Sequence, residues 1–532
     1  MDSMGTHPLA LPEIVLTIGK FIPLWVPEQH NGETVWMLKP KDLIAASSVN
    51  RLFQSLLTPV LWATFAYPAH HSHSWFIQYH RGSNAVHTIP ENIIEKNSVH
   101  FRQLDLLLCK QLRRPIKIEQ LRLNCTRLQE LRLSSVADAT SVGQLIAANP
   151  GLRLLHWERS AHHPNCALDL RLLSPLHQLR SLSLEGWALN AVYLHHVLNN
   201  NADHLEELIL GKDEIIFILA TPTMNEQWNG LDPTTRSLMT KELQTEAALL
   251  LQGRPLLVPK LKSLHLQLMW QTTSDASYSL VRAFPAAEMI TICILDEEVG
   301  MRLGKNLQEF CPNLRSIQNP NLYTENHYNP VRRGDGIPYI VNACAPGKLT
   351  HVALTRWRFD DRLRDALLQH RDGLEVLQLS LYHLEISEGD LENIGKVLAG
   401  CKRLKEFSLY NFRRWYQVED TSILLDGLKC CLDLESLMLV GFPFIDRSLF
   451  DIEEEEDRFI QYSNDTCGEK PASEAELPTN WRYSPRFVFG PNSTMSTEEF
   501  RNMTFEVVAD LPHMKTVILN DDRFEKENSY IS

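Results

Sequence analysis

Apolar positions along this chain return in one short pattern: an apolar residue, two variable positions, an apolar residue, one variable position, an apolar residue. It reads Leu128…Leu131…Leu133, Leu152…Leu155…Trp157, Leu179…Leu182…Leu184, Leu205…Leu208…Leu210 and Leu261…Leu264…Leu266. It continues as Met289…Ile292…Ile294, Leu314…Ile317, Leu349…Val352…Leu354, Leu374…Leu377…Leu379, Leu404…Phe407…Leu409 and Leu434…Leu437…Leu439, with a last copy expected at Met514…Val517…Leu519. The final two apolar positions of each copy point the same way while their neighbours point the other, so each copy predicts one short strand. Helical patterns lie between the copies, at Val192…Leu194…Val197-Leu198, Val299…Leu303…Leu307…Phe310, Leu391…Ile394…Val397-Leu398 and Leu424…Leu428…Cys431. A helix between strands supplies the crossover that parallel pairing needs.

The first positions of successive copies are mostly 24 to 30 residues apart, which is the period of a strand-plus-helix repeat. Over residues 100–442 the chain resembles leucine-rich-repeat proteins. The resemblance implies an α/β solenoid, a horseshoe with parallel strands concave and helices convex. Three stretches break the period: 211–258, with a helix expected through Leu243…Leu249–Leu251; 318–347, rich in Asn, Pro and Gly; and 443–510, which holds the acidic run Asp451–Asp457. The acidic stretch is expected to be a solvated insertion, followed by a terminal repeat strand and tail at 511–532. Cys311, Cys401 and Cys431 each stand three residues before a strand leucine, so they are expected to pack in the interior. Trp187, Trp357, Tyr382, Phe412 and Phe442 recur after the strands, as a buried spine or as a ligand ladder.

The front of the chain follows another rule. Pro12 suits the first turn of a helix, and Ile14, Ile18 and Phe21 or Ile22 recur at helical spacing. Leu43, Ala46, Val49, Phe53 and Leu56 share one helical face, and Pro59 is expected to stop or kink that helix before Leu61 and Trp62. Leu11-Pro12-Glu13-Ile14, then Leu43…Val49-Asn50-Arg51-Leu52-Phe53, then Pro59-Val60-Leu61-Trp62 resembles the F-box. That family docks on the Skp-family adaptor of SCF ubiquitin ligases. Two departures stand out: Asn50, where the family often has Cys, and an extra loop expected at 23–40. The resemblance implies an F-box at 9–67, a linker or first cap at 68–99, and adaptor contacts from Leu11, Pro12, Ile14, Ile18, Leu43, Val49, Arg51, Phe53, Pro59, Leu61 and Trp62. It also implies a cullin bound through the adaptor and a protein substrate bound by the repeats. The alternative is a leucine-rich-repeat scaffold or regulator, for instance of a small GTPase, whose N-terminal helices only cap the array.

Composition narrows the classes. A hydrophobic fraction of 44% with 22% charged residues is globular, and a net charge of −13 argues against nucleic acid as a partner. No apolar run approaches a membrane span and Met1–Ala10 lacks a secretory signal, so no membrane partner is expected and the protein is expected in the cytoplasm, the nucleus or both. Sequons at Asn124, Asn464, Asn492 and Asn502 matter only after secretion.

No catalytic constellation stands out. The phosphate loop, the nucleophile elbow, the His-Glu-x-x-His helix and RING-type zinc spacing are absent from the sequence. His70, His71 and His73, His162-His163 and His195-His196 lack partner ligands at usable spacing. The expectation is therefore a protein with no catalytic, metal or cofactor residues. Strand alternation turns Glu130, Arg132, His156, Glu158, Glu185 and Glu207 to the concave surface in the early repeats. In the late repeats it turns out Val376, Gln378, Ser380, Ser408, Tyr410, Met438 and Val440. The second set carries few charges, and a substrate is expected there, on Tyr410, Met438 and Val440 with Arg413 and Arg414 at the rim.

Overall fold

The computed structural model describes residues 11–22, 25–30, 33–38, 41–65, 91–106, 118–134, 139–158, 168–187, 189–210, 217–218, 256–266, 280–292, 297–319, 336–356, 359–381, 388–411, 422–440, 481–484, 504–519 and 522–526. They belong to two compact units, Met1–Phe284 and Pro285–Ser532.

Unit 1 opens on a helical module. Helix α1 (Pro12–Phe21) is followed by an antiparallel hairpin of β1 (Trp25–His30) and β2 (Glu33–Leu38), then by α2 (Lys41–Ser47) and α3 (Arg51–Ala63). Val15, Leu43, Phe53 and Leu57 form the core of these helices. One expectation fails here. Within 23–40, where a loop is expected, Trp25–His30 and Glu33–Leu38 pair as strands from Trp25↔Leu38 to His30↔Glu33. Pro59 does not stop its helix, which runs on to Ala63. The hydrogen bond that proline forgoes would have gone to the carbonyl of Ser55, an exposed residue that water can reach. Asn50 caps α3: its side-chain oxygen accepts the Phe53 amide at 2.9 Å.

Helix α3 passes without a break into β3 (Thr64–Phe65). The elements that follow are α4 (Glu91–Asn97), β4 (Gln103–Asp105), α5 (Ile118–Asn124), β5 (Glu130–Ser134), α6 (Ala139–Ala147), β6 (Leu154–Glu158), β7 (Ser181–Glu185), β8 (Leu189–Asn190), α7 (Ala191–Asn200), β9 (Glu207–Leu210), β10 (Phe217–Ile218) and β11 (Ser263–Leu266). Strands β3, β4, β5, β6, β7, β9 and β11 pair in that order, all parallel, and β8 pairs with β10 separately. Each rung keeps its register through backbone bonds, such as the Arg102 amide to the Ala63 carbonyl at 2.8 Å and the Glu130 amide to the Arg102 carbonyl at 3.0 Å. The parallel sheet thus begins inside the stretch read as the helical module. The helix expected through Leu243…Leu251 lies outside the described residues.

Unit 2 contains β12 (Met289–Ile292), α8 (Glu297–Phe310), β13 (Ser316–Asn319), α9 (Ile337–Ala343), β14 (His351–Arg356), α10 (Asp361–Leu368), β15 (Val376–Leu381), α11 (Glu388–Gly400), β16 (Glu406–Asn411), α12 (Ser422–Lys429), β17 (Ser436–Val440), β18 (Trp481–Ser484), β19 (Thr516–Leu519) and β20 (Asp522–Lys526). Strands β12 to β17 and then β19 form a parallel series, on whose end β20 and then β18 pair antiparallel. One repeat is framed two residues earlier than expected: the buried positions are Ala287, Ile290 and Ile292, and Ile290 pairs with Ile317. A slip of two keeps strand parity, so the same side chains face inward. Helix α9 lies within 318–347, one of the stretches that break the period. The run Asp451–Asp457 lies outside the described residues.

Both units hold together in the same way. The repeat leucines are buried, each contributing about 1.5–3 kcal/mol. Buried polar side chains then tie one repeat to the next. Asn149 Oδ1 accepts the Leu128 amide at 2.8 Å while its Nδ2 donates to the carbonyls of Cys125 and Leu145 at 2.7 and 2.8 Å. Asn201 does the same with the Leu179 amide at 2.9 Å and the carbonyls of Leu176 and Val197 at 3.0 and 2.9 Å. Cys311, Cys401 and Cys431 are buried, and burial pushes their thiols up to about 11, 12 and 12. Each unit thus has an alpha/beta architecture of parallel strands and connecting helices that fits a leucine-rich-repeat-like solenoid. Among the described residues, no helix is long and apolar enough to cross a membrane.

Candidate protein-binding surfaces

The residues expected to dock an adaptor divide by their place in the helical module. Leu11 precedes α1 in extended backbone and is exposed with Pro12. Val49 and Arg51, which flank Asn50 at the start of α3, are exposed too, Val49 at 64%. Ile14, Ile18, Pro59, Leu61 and Trp62 are half-buried. Leu43 and Phe53 lie in the module's own core and present no surface. Two exposed apolar side chains fall outside the expected set: Phe21 at 81% and Ile44 at 46%. Of the two alternatives for the helix's inner face, Phe21 and Ile22, it is Ile22 that turns inward.

The module is welded to the repeats. Phe101 packs under it, its ring 6.4 Å from that of Trp62 and stacked 5.7 Å from that of Phe65. Thr64 Oγ1 donates to Gln103 Oε1 at 2.9 Å, and Gln103 Nε2 donates to Glu130 Oε1 at 2.8 Å. The side-chain chain therefore crosses from the end of α3 onto the sheet.

The sheet face of unit 1 turned away from the buried leucines carries the charged residues expected on it. Parallel register sets Arg132 beside His156 and Glu158 beside Glu185. His156 stands 3.5 Å from Glu185 and 4.0 Å from Glu158, and Ser183 donates to Glu185 at 2.9 Å. Ser181 donates to Glu207 at 2.5 Å, His265 lies 3.9 Å from Glu207, and Ser263 is 2.7 Å from His265. These carboxylates are already engaged with side chains of the same face.

The corresponding face of unit 2 is built otherwise. Register brings Ser408, Met438 and Ile518 into one row and Ser380, Tyr410 and Val440 into the next. Tyr410, Met438, Val440, Val376 and Ile518 are half-buried, and the Tyr410 hydroxyl donates to the Met438 sulfur at 2.6 Å. Burial raises the Tyr410 pKa above its ordinary value. Beside these rows, ion pairs cross from one repeat to another: Lys405–Glu375 at 2.9 Å and Lys515–Glu435 at 2.6 Å. The lysine hydrogen bonds hold both carboxyls below their usual range. Ile518 is an apolar member of this face that the sequence reading missed, although Val517-Ile518-Leu519 carried the alternation that places it. Arg413 and Arg414 lie outside the described residues.

Of the recurring aromatics, Trp187 is buried: its Nε1 donates to the Trp157 carbonyl at 3.1 Å and its ring meets that of Trp157 edge-on at 5.3 Å. Trp357, Tyr382, Phe412 and Phe442 lie outside the described residues. Among the described residues, no group of three or more His, Cys, Asp or Glu side chains could hold a metal ion.

No protein-family model matches the chain, and no curated protein matches it. Among solved structures it is similar to a TLR13–ssRNA13 complex, at 12% identity and a TM-score of 0.31, with 69% of this chain and 55% of that one covered. The chain thus spans about half the length of that protein. The repeat fold and its surfaces, described above from strands, registers and burial, are consistent with protein binding.

Proposed function

We propose that the chain is the substrate-recognition subunit of an SCF-type ubiquitin ligase. The helical module docks on a Skp-family adaptor, which brings the cullin, and the repeats bind a protein substrate. The observation that supports this best is the module itself: three short helices present Leu11, Pro12, Val49 and Arg51, in the order of the F-box pattern, beside exposed Phe21 and Ile44. Exposed apolar side chains this large on so small a module suit a partner surface. The substrate face in this reading is the weakly charged face of unit 2, with Tyr410, Met438 and Val440 central and Ile518 beside them. Arg413 and Arg414, which follow β16 in sequence, belong to the proposed site. The chain carries no catalytic step and no cofactor; ubiquitin transfer belongs to other subunits, in the cytoplasm or the nucleus.

The test is co-purification of the full chain with a Skp-family adaptor, followed by calorimetry. Changing Leu11 and Pro12 together to Ala is expected to weaken binding by about 2 kcal/mol or more, and unaltered binding would remove the site assignment. For the substrate face, Y410D with M438D should abolish substrate capture at an unchanged melting temperature. A second reading, a leucine-rich-repeat scaffold capped by its N-terminal helices, draws on the Trp62–Phe101 packing; it expects no adaptor binding by the wild-type chain.

A further inference from the structure

One position recurs before the strands of both units: its carbonyl accepts the amide of the first apolar residue of its own repeat. Asn149, Asn201, Cys311, Cys401 and Cys431 hold it, with bonds of 2.9 to 3.2 Å to Leu152, Leu205, Leu314, Leu404 and Leu434. His370 holds it for Leu374, at 2.9 Å. All six side chains are buried, His370 completely.

Like Asn149 and Asn201, His370 reaches back to the preceding repeat. Its Nδ1 faces the Leu349 amide at 3.5 Å and its Nε2 faces the Val341 carbonyl at 3.1 Å. An amide can only donate and a carbonyl can only accept, so the ring is neutral, with its proton on Nε2. The imidazole thereby ties the turn after α10 to α9 and to the turn before β14. A second proton has one place to go, Nδ1, where it meets the Leu349 N–H. Two donors then face each other and a charge sits in the interior.

Among the described residues no carboxylate bonds the ring, whose partners are the Leu349 amide and the Val341 carbonyl. Cys344 after α9 and Cys401 after α11 are pushed up to about 12 and so neutral. Lys348 and His351 flank Leu349, and Arg371 and Asp372 follow on the ring's own turn. Burial holds the His370 pKa below its ordinary value, opposed only by the Val341 bond. Asn and Cys at the same position carry no comparable liability, since amides do not titrate and these thiols stay protonated.

We propose that His370 is a proton-sensitive joint in unit 2: protonation of Nδ1 breaks the bond to Leu349 and loosens α9, α10 and the start of β14. A group whose folded pKa is lowered contributes its full stability above its ordinary value, here 6.5. It loses that contribution as pH falls through and below that value. The opening equilibrium can rise by up to about tenfold for each pH unit in that window, one proton being taken up.

Hydrogen exchange of the full-length chain, read by mass spectrometry at pH 7.5, 6.5 and 5.5 and corrected for intrinsic rates, tests this. Peptides covering 341–352 and 363–374 should open up to about fivefold more on going from pH 6.5 to 5.5, since half of the open-state imidazoles are already protonated at pH 6.5. Peptides at Asn149 in the same molecule should not. H370N, which copies Asn149 and Asn201, and H370C, which copies the cysteine repeats, should abolish the response. An undiminished response in both variants overturns the proposal, as does its absence from the wild type. Should neither variant fold, the comparison inside the wild-type chain decides, and equal responses at His370 and Asn149 refute it.

Discussion

Gly19 is expected to accept a side chain at a cost while Leu57 is intact, and at less cost once Leu57 is shortened. A β-carbon built on Gly19 would stand 2.5 Å from Leu57 Cδ2 and 3.9 Å from Val60 Cγ1, so α1 reaches α3 only because position 19 has no side chain. Leu57 cannot easily yield, being fully buried with Val15, Leu43 and Phe53. Overpacking of this kind costs about 1–3 kcal/mol, offset in part by the helix preference of Ala over Gly, about 1 kcal/mol. Gly19→Ala should therefore destabilise the module by about 1 kcal/mol. Leu57→Ala alone leaves a cavity and should cost about 3–5 kcal/mol. In the double variant the new methyl enters space that Leu57 vacated, so the cost should fall short of the sum by about 1–2 kcal/mol. With two units the chain need not unfold in one step, so the stability to read is local: hydrogen exchange of α1 amides in the four members of the cycle. Additive effects within about 0.5 kcal/mol would refute the packing argument.

In unit 2, Gly427→Ala should lower the melting temperature more than Gly400→Ala. The first methyl meets backbone, Gly395 O at 2.6 Å, and the second meets only Leu368 Cδ2 at 2.5 Å; equal shifts in differential scanning fluorimetry would contradict this. Asn201→Ala strands the Leu179 amide and the Leu176 carbonyl, at about 1–3 kcal/mol for each buried group, and Asn201→Asp should be at least as damaging; chemical denaturation reads both. Of the six described cysteines only Cys430 is exposed, so brief iodoacetamide treatment at pH 8 should label Cys430 well before Cys125, Cys311, Cys344, Cys401 or Cys431, as peptide mass spectrometry would show.

The repeat strands were legible because each copy buries three apolar residues at fixed offsets, a constraint that survives irregular spacing. Two rungs escaped notice. β4 follows Phe101…Leu104…Leu106, the same offsets with Phe in the first place, and β3 is only two residues long and hides at the end of a helix. The β1–β2 hairpin has a signal too, since Asn31-Gly32 separates two runs of six residues, a turn pair that favours hairpins; Pro23, Pro27 and Pro40 point to a loop instead. Helical periodicity alone could not decide which of Ile14 and Val15, or Phe21 and Ile22, turns inward, because neighbouring positions on a short helix differ by only 100°. The core set, Val15 with Leu57, depends on where α1 meets α3, a tertiary fact. His370 was invisible for a related reason: its role comes from Leu349 and Val341, twenty or more residues away.

The unbroken passage from α3 to β3 has a mechanical consequence. Seven parallel strands in unit 1 span about 29 Å at the usual spacing between neighbours. Across that lever arm, a hinge with about 10° of play at its root would swing the far strand by about 5 Å, comparable to one whole strand spacing. No loop at the root allows such play. The Ala63 carbonyl is held by the Arg102 amide, Thr64 by Gln103, and Trp62 by the ring of Phe101. Whatever grips the helices therefore also aims the sheet, and a partner at one end fixes the bearing of the other.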